Sequence, residues 1–219
     1  MRFEANQLLS RVTAGEGPLS PDSLCSHRVY EQHRSGLIEV VGRWKKDRRV
    51  LLGEAFTLLF ENRLTVWLQI QEELHMGGAR RSDEVERLLS QYNPLIPDAG
   101  ELRASLFLDC ADREKLLGYL SEYPLASLGM ELHLDGTVFE AQPLEVSEQY
   151  LDAVTYVKFR PTEEVVLSSV SRLRTGGLSG ASTDLRDRTK RSLLRDLQRG
   201  CASASKERIR PLSRMAGLV

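Results

Sequence analysis

The hydrophobic pattern changes its period within residues 49–76, and this change constrains the fold more than any other feature of the sequence. Residues 49–60 contain two short apolar runs around a Gly-Glu pair, which predicts two strands joined by a turn. From residue 64 to residue 74 the apolar side chains recur every three or four positions. That spacing predicts a helix, with Asn62 as its N-cap and Gly77 at its end.

The rest of the chain continues this mixture of hairpins and helices. Ser20 followed by Pro21 predicts the start of a helix, because a capping residue stands before a proline in the first turn. We predict helices over 20–44, 83–92 and 112–122 and from residue 161, and strands over 102–110, 130–134, 138–141 and 154–160. Hairpin-linked strands mixed with helices indicate an α+β fold with a mostly antiparallel sheet and packed helices.

Composition limits the class of protein. With 219 residues and 41% apolar content, one domain with appendages is expected. No apolar run approaches the roughly 18 residues of a membrane span, and no apolar signal segment follows the start, so we predict a soluble, non-secreted protein. The three cysteines are scattered along the chain, which fits a reducing compartment and excludes a zinc framework of paired cysteines.

The near-zero net charge conceals an asymmetry. Residues 171–219 carry 12 basic and 4 acidic side chains, whereas the preceding residues carry 18 basic and 27 acidic ones. The basic tail is therefore predicted to bind either the acidic body or an anionic partner such as RNA, and both possibilities remain open. The candidate partner-binding residues are Arg186, Arg188, Lys190, Arg191, Arg195 and Arg199.

Three segments follow from these patterns: an N-terminal extension (1–17), an α+β domain (18–173) and a basic C-terminal extension (174–219). The Gly- and Ser-rich stretch 174–183 is typical of a flexible linker. Beyond it, residues 184–199 predict a helix with a narrow apolar stripe. Such a helix is marginal alone in water, so it is expected to fold against another surface.

Polar residues around the central helix predict a structural network rather than an active site. The amides of Gln69 and Gln71 lie on a strongly apolar helix, and buried amides must find hydrogen-bond partners. The expected members of the network are Glu61, Asn62, Arg63, Gln69, Gln71, Tyr92 and Asn93. There is no glycine-rich phosphate loop, no nucleophile elbow and no readable Cys-His pair, so we favour a non-catalytic protein.

A metal site has one local candidate. Glu72 and His75 have the Glu-x-x-His spacing that occurs in di-iron carboxylate bundles, and His133 is a further candidate ligand. A single unit of this kind is more often a solvated helix end, which is the interpretation we prefer. His27 and His33 are six residues apart, a spacing that argues against a chelating pair on one helix.

Several phrases of the sequence resemble one protein family. They are Tyr30-Glu31 with Arg34, Phe60 to Arg63, Gln69 to Glu72, and Tyr92 to Asp98. On these phrases the chain is similar to the bacterial family catalogued as domain-of-unknown-function family 3501, over roughly residues 18 to 165. The resemblance implies ancestry and fold rather than a reaction.

The chain departs from the family pattern at two positions. Gly77 stands where relatives tend to have an acidic residue, and Thr155 stands where they tend to have a histidine in a late strand. If that acid and histidine form a metal or catalytic site in relatives, this chain lacks two of its parts.

Our first functional hypothesis is therefore a non-catalytic accessory or structural subunit, bound to protein subunits of a larger assembly such as a mitochondrial respiratory complex or a ribosome. Residues 1–17 have an apolar face and two arginines, faintly like a mitochondrial targeting helix. Glu4 and Glu16 count against that, so a cytoplasmic location is the alternative.

The second hypothesis is a metal- or redox-linked enzyme or electron-transfer partner, because the resemblance implies an association with rubrerythrin-like and iron-sulfur proteins. This alternative requires iron or zinc, whereas the first hypothesis requires no cofactor.

Overall fold

The protein is described by a computed structural model that covers residues 2–78, 82–108, 114, 129–134, 137–144, 154–161, 171–175 and 181–208. Over these residues the helices are α1 (Arg2–Ala14), α2 (His27–Lys46), α3 (Arg63–Met76), α4 (Ser82–Tyr92) and α5 (Asp187–Arg208). The strands are β1 (Arg49–Leu52), β2 (Phe56–Phe60), β3 (Leu102–Leu108), β4 (Met130–Leu134), β5 (Thr137–Glu140), β6 (Gln142–Pro143), β7 (Val154–Phe159), β8 (Ser171–Thr175) and β9 (Ser182–Asp184).

The described strands form two antiparallel sheets. The first has the order β1-β2-β3-β7-β6, and the second has the order β5-β4-β8-β9. In the first sheet Leu106 on β3 lies between Leu58 on β2 and Thr155 on β7. The predicted α+β class with a mostly antiparallel sheet is confirmed.

The first sheet separates two apolar layers because successive side chains of a strand point to opposite faces. On one face, Phe60, Leu106 and Phe159 pack with residues of the second sheet and of α5. On the other face, Tyr156 packs with the helical layer formed by α1 to α4. The molecule therefore has α1 to α4 on one side of the first sheet, and the second sheet with α5 on the other.

Helix α3 lies at the centre of the helical layer. Its N-cap is Asn62, whose Oδ1 accepts hydrogen bonds from the backbone N–H groups of Leu64 and Thr65 at 3.0 and 2.9 Å. Trp67 and Ile70 are fully buried, so this helix has apolar contacts around most of its circumference. The predicted helix, its cap and the two preceding strands are confirmed.

The predicted helix over 20–44 starts too early. Ser20 and Pro21 open only a single 3-10 turn, and Leu24 then adopts an extended conformation. The long helix α2 begins after Ser26, whose side chain accepts a hydrogen bond from the N–H of Val29 at 3.3 Å. Ser20 exchanges hydrogen bonds with Ser23 instead of leading into a continuous helix. The helix predicted over 112–122 lies outside the described residues except at Glu114, and so does the one after residue 161.

The segment predicted as a flexible linker contains two paired strands. Arg174 on β8 lies opposite Ser182 on β9, and Leu173 lies opposite Thr183. The linker prediction is therefore wrong where the structure describes the segment, and residues 176–180 lie outside that description. Composition misled here because strand pairing is a contact with the rest of the sheet and is not visible in local sequence.

The apolar stripe of α5 is buried against the domain. Leu193 and Leu197 of α5, together with Leu185 just before it, belong to the same core as Leu132 and Leu173 of the second sheet. Burial of a leucine side chain stabilises by about 1.5–3 kcal/mol, and this compensates for the narrowness of the stripe. The surface against which we expected the basic helix to fold is the body of the same chain.

The N-terminal helix also packs against the domain. Leu9 and Val12 are buried in the helical layer beside Leu64 of α3. Within the residues that the structure describes, no helix is long and apolar enough to cross a membrane.

Candidate functional site

Arg63, one of the predicted network residues, holds the chain that follows α1. Its guanidinium donates hydrogen bonds to the carbonyl oxygens of Val12 at 3.1 Å, Pro18 at 2.8 Å and Glu16 at 3.4 Å, and also to that of Gly17. Burial lowers the pKa of the Arg63 side chain. All of these acceptors belong to the segment between α1 and α2 or to the end of α1. Arg63 therefore holds this segment against α3.

Glu61 is a buried carboxylate beside the same corner. It accepts a hydrogen bond from Ser105 Oγ at 2.7 Å and one from Thr65 Oγ1. The Thr65 hydroxyl in turn accepts from the N–H of Asn62 at 2.9 Å. Both carboxylate oxygens of Glu61 thus connect α3 to strand β3, and Asn62 caps the helix between them.

The other four predicted network residues take part in separate contacts. Gln69 Nε2 donates to Glu73 Oε1 at 2.9 Å, and the Tyr92 hydroxyl donates to the same oxygen at 3.2 Å. Burial, with the Glu73 charge as a second cause, raises the pKa of Tyr92 to about 12. Gln71 is fully buried on the same helix. The predicted network did not include Glu73. Its position one helical turn after Gln69 is the sequence signal that indicates this contact.

Asn93 belongs to a different contact. Its Oδ1 accepts from the N–H of Leu19 at 2.8 Å, and its Nδ2 donates to the carbonyl of Leu19 at 2.9 Å. One side chain therefore pairs with a backbone unit in the manner of a β-bridge. It fastens the segment before α2 to the end of α4.

Glu72 is committed to an ion pair. Arg34 donates to its two oxygens at 2.9 and 2.7 Å, and the Tyr30 hydroxyl also donates to it. The hydrogen bonds from Arg34 hold the pKa of Glu72 below its usual value despite partial burial. A carboxylate occupied by a bidentate arginine is poorly placed to bind a metal ion.

The three predicted metal candidates do not form one group of ligands among the described residues. His75 Nδ1 is 3.1 Å from Glu31 Oε2 at the start of α2, and His133 lies on β4 of the second sheet beside Glu131 at 2.8 Å. His75 has instead come together with His27 and Glu31, whose ligand atoms all lie within 4.8 Å of one another and of His75. The signal for this cluster was the His-x-x-x-Glu spacing at the start of α2.

Gly77 and Thr155, the two departures from the family pattern, lie on opposite sides of the first sheet. Gly77 ends α3 in the helical layer. Thr155 shares a strand face with Val157 and Phe159, which pack towards the second sheet. In this geometry the two positions do not belong to one site.

A cleft of about 280 Å³ lies between the end of α2 and α5, and we call it the basic cleft. Its lining residues are Thr13, Trp44, Asp47, Arg48, Asn62, Arg188, Arg191, Ser192, Arg195 and Asp196. Trp44, near the C-terminal end of α2, is 44% exposed. An aromatic side chain thus lies open beside several arginines.

The arginines of the basic cleft differ in their contacts. Arg48 and Asp196 form a nearly buried ion pair at 2.6 Å. Arg188, Arg191 and Arg195 follow one another at spacings of three and four residues, which puts them on one face of α5. To the residues that the structure describes, these three side chains make no hydrogen bond or ion pair.

The remaining predicted partner-binding residues have different settings. Arg186 is exposed just before α5, and Lys190 lies 3.8 Å from Asp187. Arg199 lies within α5, but its side chain is outside the described part of the chain. The sequence therefore identified the basic helix, whereas Trp44 and the Arg48–Asp196 pair became visible only in the structure.

Comparisons with known proteins agree with this fold and add no activity. Residues 18–197 match the family model described as "Protein of unknown function (DUF3501)". A crystal structure of a novel protein of unknown function from Burkholderia pseudomallei K96243 is similar, with a TM-score of 0.74 and 24% sequence identity. The similarity covers 82% of this chain and 98% of that one. No curated protein matched.

Proposed function

Since the chain belongs to the DUF3501 family of proteins of unknown function, we propose a function from its surface geometry: it is a non-catalytic accessory subunit that binds single-stranded RNA through the basic cleft. The observation that carries this proposal is the group formed by Trp44, Arg188, Arg191 and Arg195. Three cations without partners among the described residues line the same cleft as one exposed aromatic ring.

RNA matches this chemistry better than an acidic protein does. Guanidinium groups bind phosphate oxygens in a bidentate manner, and an exposed indole provides a platform on which a base stacks with about 1–3 kcal/mol. An acidic peptide would satisfy the arginines but would leave the exposed Trp44 ring without a planar partner. Arg48 and Asp196 neutralise each other, which leaves three arginines against Asp47 among the remaining charged residues of the cleft lining.

A non-catalytic role is supported by how the buried polar groups are used. Glu61 and Glu72 lie in two of the sequence phrases that resemble the family, and both accept hydrogen bonds from groups within the protein. A general acid or base needs an accessible proton position near its substrate. Their engagement favours structural roles.

Membership of a larger assembly is the wider part of the proposal. Protein partners in a ribonucleoprotein particle would contact the surface outside the cleft while the cleft holds RNA. The respiratory complex and the mitochondrial location stay predictions from the sequence, and a bacterial cytoplasmic setting is the simpler expectation, because the similar solved structure comes from Burkholderia pseudomallei. The burial of Leu9 and Val12 supports a structural role for α1 rather than a targeting role.

Fluorescence anisotropy with a labelled uridine oligonucleotide of about 12 residues tests the proposal. We expect binding in the micromolar range at about 100 mM KCl, with log affinity falling against log salt at a slope of about −2 for three phosphate contacts. The variant Arg188→Gln/Arg191→Gln/Arg195→Gln is expected to lose at least about 10-fold in affinity and to flatten this slope.

The matched control removes three exposed arginines from other elements: Arg28→Gln/Arg87→Gln/Arg172→Gln. It has the same net charge as the cleft variant and should change the affinity less than about threefold. Equal losses in both variants would show only nonspecific charge attraction and would contradict the proposal. Tighter binding of polyglutamate than of RNA would also contradict it, in favour of an acidic protein partner.

A further inference from the structure

Two histidines and one glutamate meet at the opposite end of α2 from the basic cleft. His27 and Glu31 are one helical turn apart at the start of α2, and His75 lies in the last turn of α3. One ligand atom from each residue lies within 4.8 Å of the other two. This arrangement is independent of the surface that we propose for RNA, because His27 and Trp44 are roughly 25 Å apart along the helix at 1.5 Å per residue.

The contacts inside this group leave ligand atoms available. The rings of His27 and His75 stack with centroids 5.7 Å apart and an interplanar angle of 19°. Nδ1 of His75 is inaccessible to solvent and makes no hydrogen bond among the described residues, although Glu31 Oε2 is only 3.1 Å away. A buried ring nitrogen beside a carboxylate, with no hydrogen bond between them, is a position that a cation between the two would satisfy.

The surroundings also favour a cation. The carbonyl end of α3 carries a partial negative charge next to His75. Glu72 lies one turn earlier and is fixed by Arg34 and Tyr30, so its position does not depend on a bound ion. The Tyr30 ring packs edge-on against His75 with centroids 6.1 Å apart, which limits the movement of the imidazole. One ligand is therefore held firmly, while His27 and Glu31 are exposed and adjustable.

We propose that His27, Glu31 and His75 form a binding site for a divalent transition metal, with Zn²⁺ as the best match. Two imidazole nitrogens and one carboxylate oxygen are a ligand set that zinc uses in sites that keep an open fourth position for water. Zn–N and Zn–O distances are about 2.0–2.2 Å, so ligand atoms that now lie up to 4.8 Å apart must adjust around the ion, whereas His75 Nδ1 and Glu31 Oε2 at 3.1 Å are already close. Rotation of the exposed His27 and Glu31 side chains achieves this without moving either helix.

Isothermal titration of the tag-free full chain with ZnCl₂, after removal of metal by EDTA and dialysis, tests the site. We expect one equivalent to bind with a dissociation constant of about 1 µM or tighter. Glu31→Gln and His75→Gln should each weaken binding by at least roughly 100-fold. Glu31 is 58% exposed, so its variant is expected to fold even if the His75 variant does not.

His133→Gln is the matched control, because His133 also lies beside a glutamate but has no third ligand in the described residues. It should leave zinc binding unchanged. Substitution of Co²⁺ for zinc adds a spectroscopic readout. The strong visible absorption of tetrahedral Co²⁺ should appear with the native chain and not with Glu31→Gln. Zinc binding that is absent, or that survives both the Glu31 and the His75 substitutions, would overturn the proposal.

Discussion

The arginines of this protein fall into two groups that contrast sharply in their surroundings. Arg63 and Arg103 sit within the fold and each contacts several acceptors of the chain: Arg103 donates to the carbonyl oxygens of Pro94 and Ile96 at 2.8 Å each, and to Glu101. Arg188, Arg191 and Arg195 line the basic cleft, with no such acceptor among the described residues. The same side chain therefore serves as an internal brace in one region and as an open cation in another.

This contrast teaches how to separate structure from function in a chain rich in arginine. A buried guanidinium is tolerated only when hydrogen bonds replace its lost hydration. A structural role is therefore enough to account for an arginine whose N–H groups are bonded within the protein. An arginine on a cleft wall without internal acceptors needs another explanation. Substitutions in the two groups should therefore differ in effect, because those in the first group should reduce stability and those in the second should weaken binding.

The largest effect on stability is expected for Arg103→Ala. The substitution removes the main partner of Glu101, whose side chain is only 6% exposed, and loss of one member of a buried pair costs about 3–5 kcal/mol. Urea denaturation measures this loss. Arg160 also binds Glu101 but is 58% exposed, so Arg160→Ala should cost less than about 1 kcal/mol. Equal losses in the two variants would break the distinction between braced and exposed arginines.

Arg48→Met sharpens the comparison within the basic cleft itself. Arg48 faces the same cleft as Arg191, but it is paired with Asp196 at 2.6 Å with both side chains almost buried. We expect a loss of about 3 kcal/mol in unfolding free energy, because Asp196 is left as an uncompensated charge. The double variant Arg48→Met/Asp196→Leu should recover most of this loss. A double variant as unstable as the single one would contradict this explanation.

The ion pairs of Glu72 and Glu101 should also make the stability of the fold depend on pH, with an effect of intermediate size. Hydrogen bonds from Arg34 lower the pKa of Glu72. Burial raises that of Glu101, but the bonds from Arg103 and Arg160 outweigh it and the pKa is lowered there too. A folded-state pKa below the ordinary value of 4.5 means that the stabilisation is present above 4.5 and is lost as pH falls through the folded-state value.

We therefore expect the urea midpoint to fall steadily below about pH 4.5. Glu72→Gln should show a shallower decline in this window, because one of the two groups has been removed. Urea titrations at several pH values measure this difference. If Glu72→Gln had the same pH dependence of stability as the native protein, the ion pair of Glu72 would not contribute to the loss of stability at low pH.

The smallest effect on stability is expected for the cleft variant Arg188→Gln/Arg191→Gln/Arg195→Gln. Substitutions at exposed positions usually change the unfolding free energy by less than about 0.5 kcal/mol each. These three side chains also make no hydrogen bond to the described residues that the substitutions could remove. Differential scanning calorimetry should give a melting temperature close to that of the native chain. A marked destabilisation would place these arginines with the internal braces and would weaken the argument for a binding surface.

The sequence predicted what depends on short-range signals. Helix α3, its Asn62 cap and strands β1 and β2 follow from periodicity and capping chemistry, both of which act within a few residues. The α+β class followed from the same patterns. The pairing of Arg174 with Ser182 did not, because a Gly- and Ser-rich composition is the same whether a segment is a linker or a hairpin on the edge of a sheet.

The candidate sites depended even more on long-range contacts. Searching for metal ligands by spacing on one helix drew attention to Glu72, whereas the geometry brings His75 to His27 and Glu31 on a different helix. Likewise, Trp44 lies on α2, and only the packing of α5 places arginines in the same cleft as its ring. Side chains from elements distant in sequence define both sites, and a single sequence taken by itself carries no signal for such contacts.

The most direct test of the basic cleft is the tryptophan emission of the native chain during titration with an RNA oligonucleotide. The chain has two tryptophans: Trp67 is fully buried and donates its Nε1–H to the carbonyl of Ser23 at 2.9 Å, whereas Trp44 is exposed in the cleft. We expect RNA to quench the native emission through base stacking on Trp44 and to leave the emission of Trp44→Phe unchanged. Equal quenching in both proteins, or RNA binding without any quenching, would contradict the account.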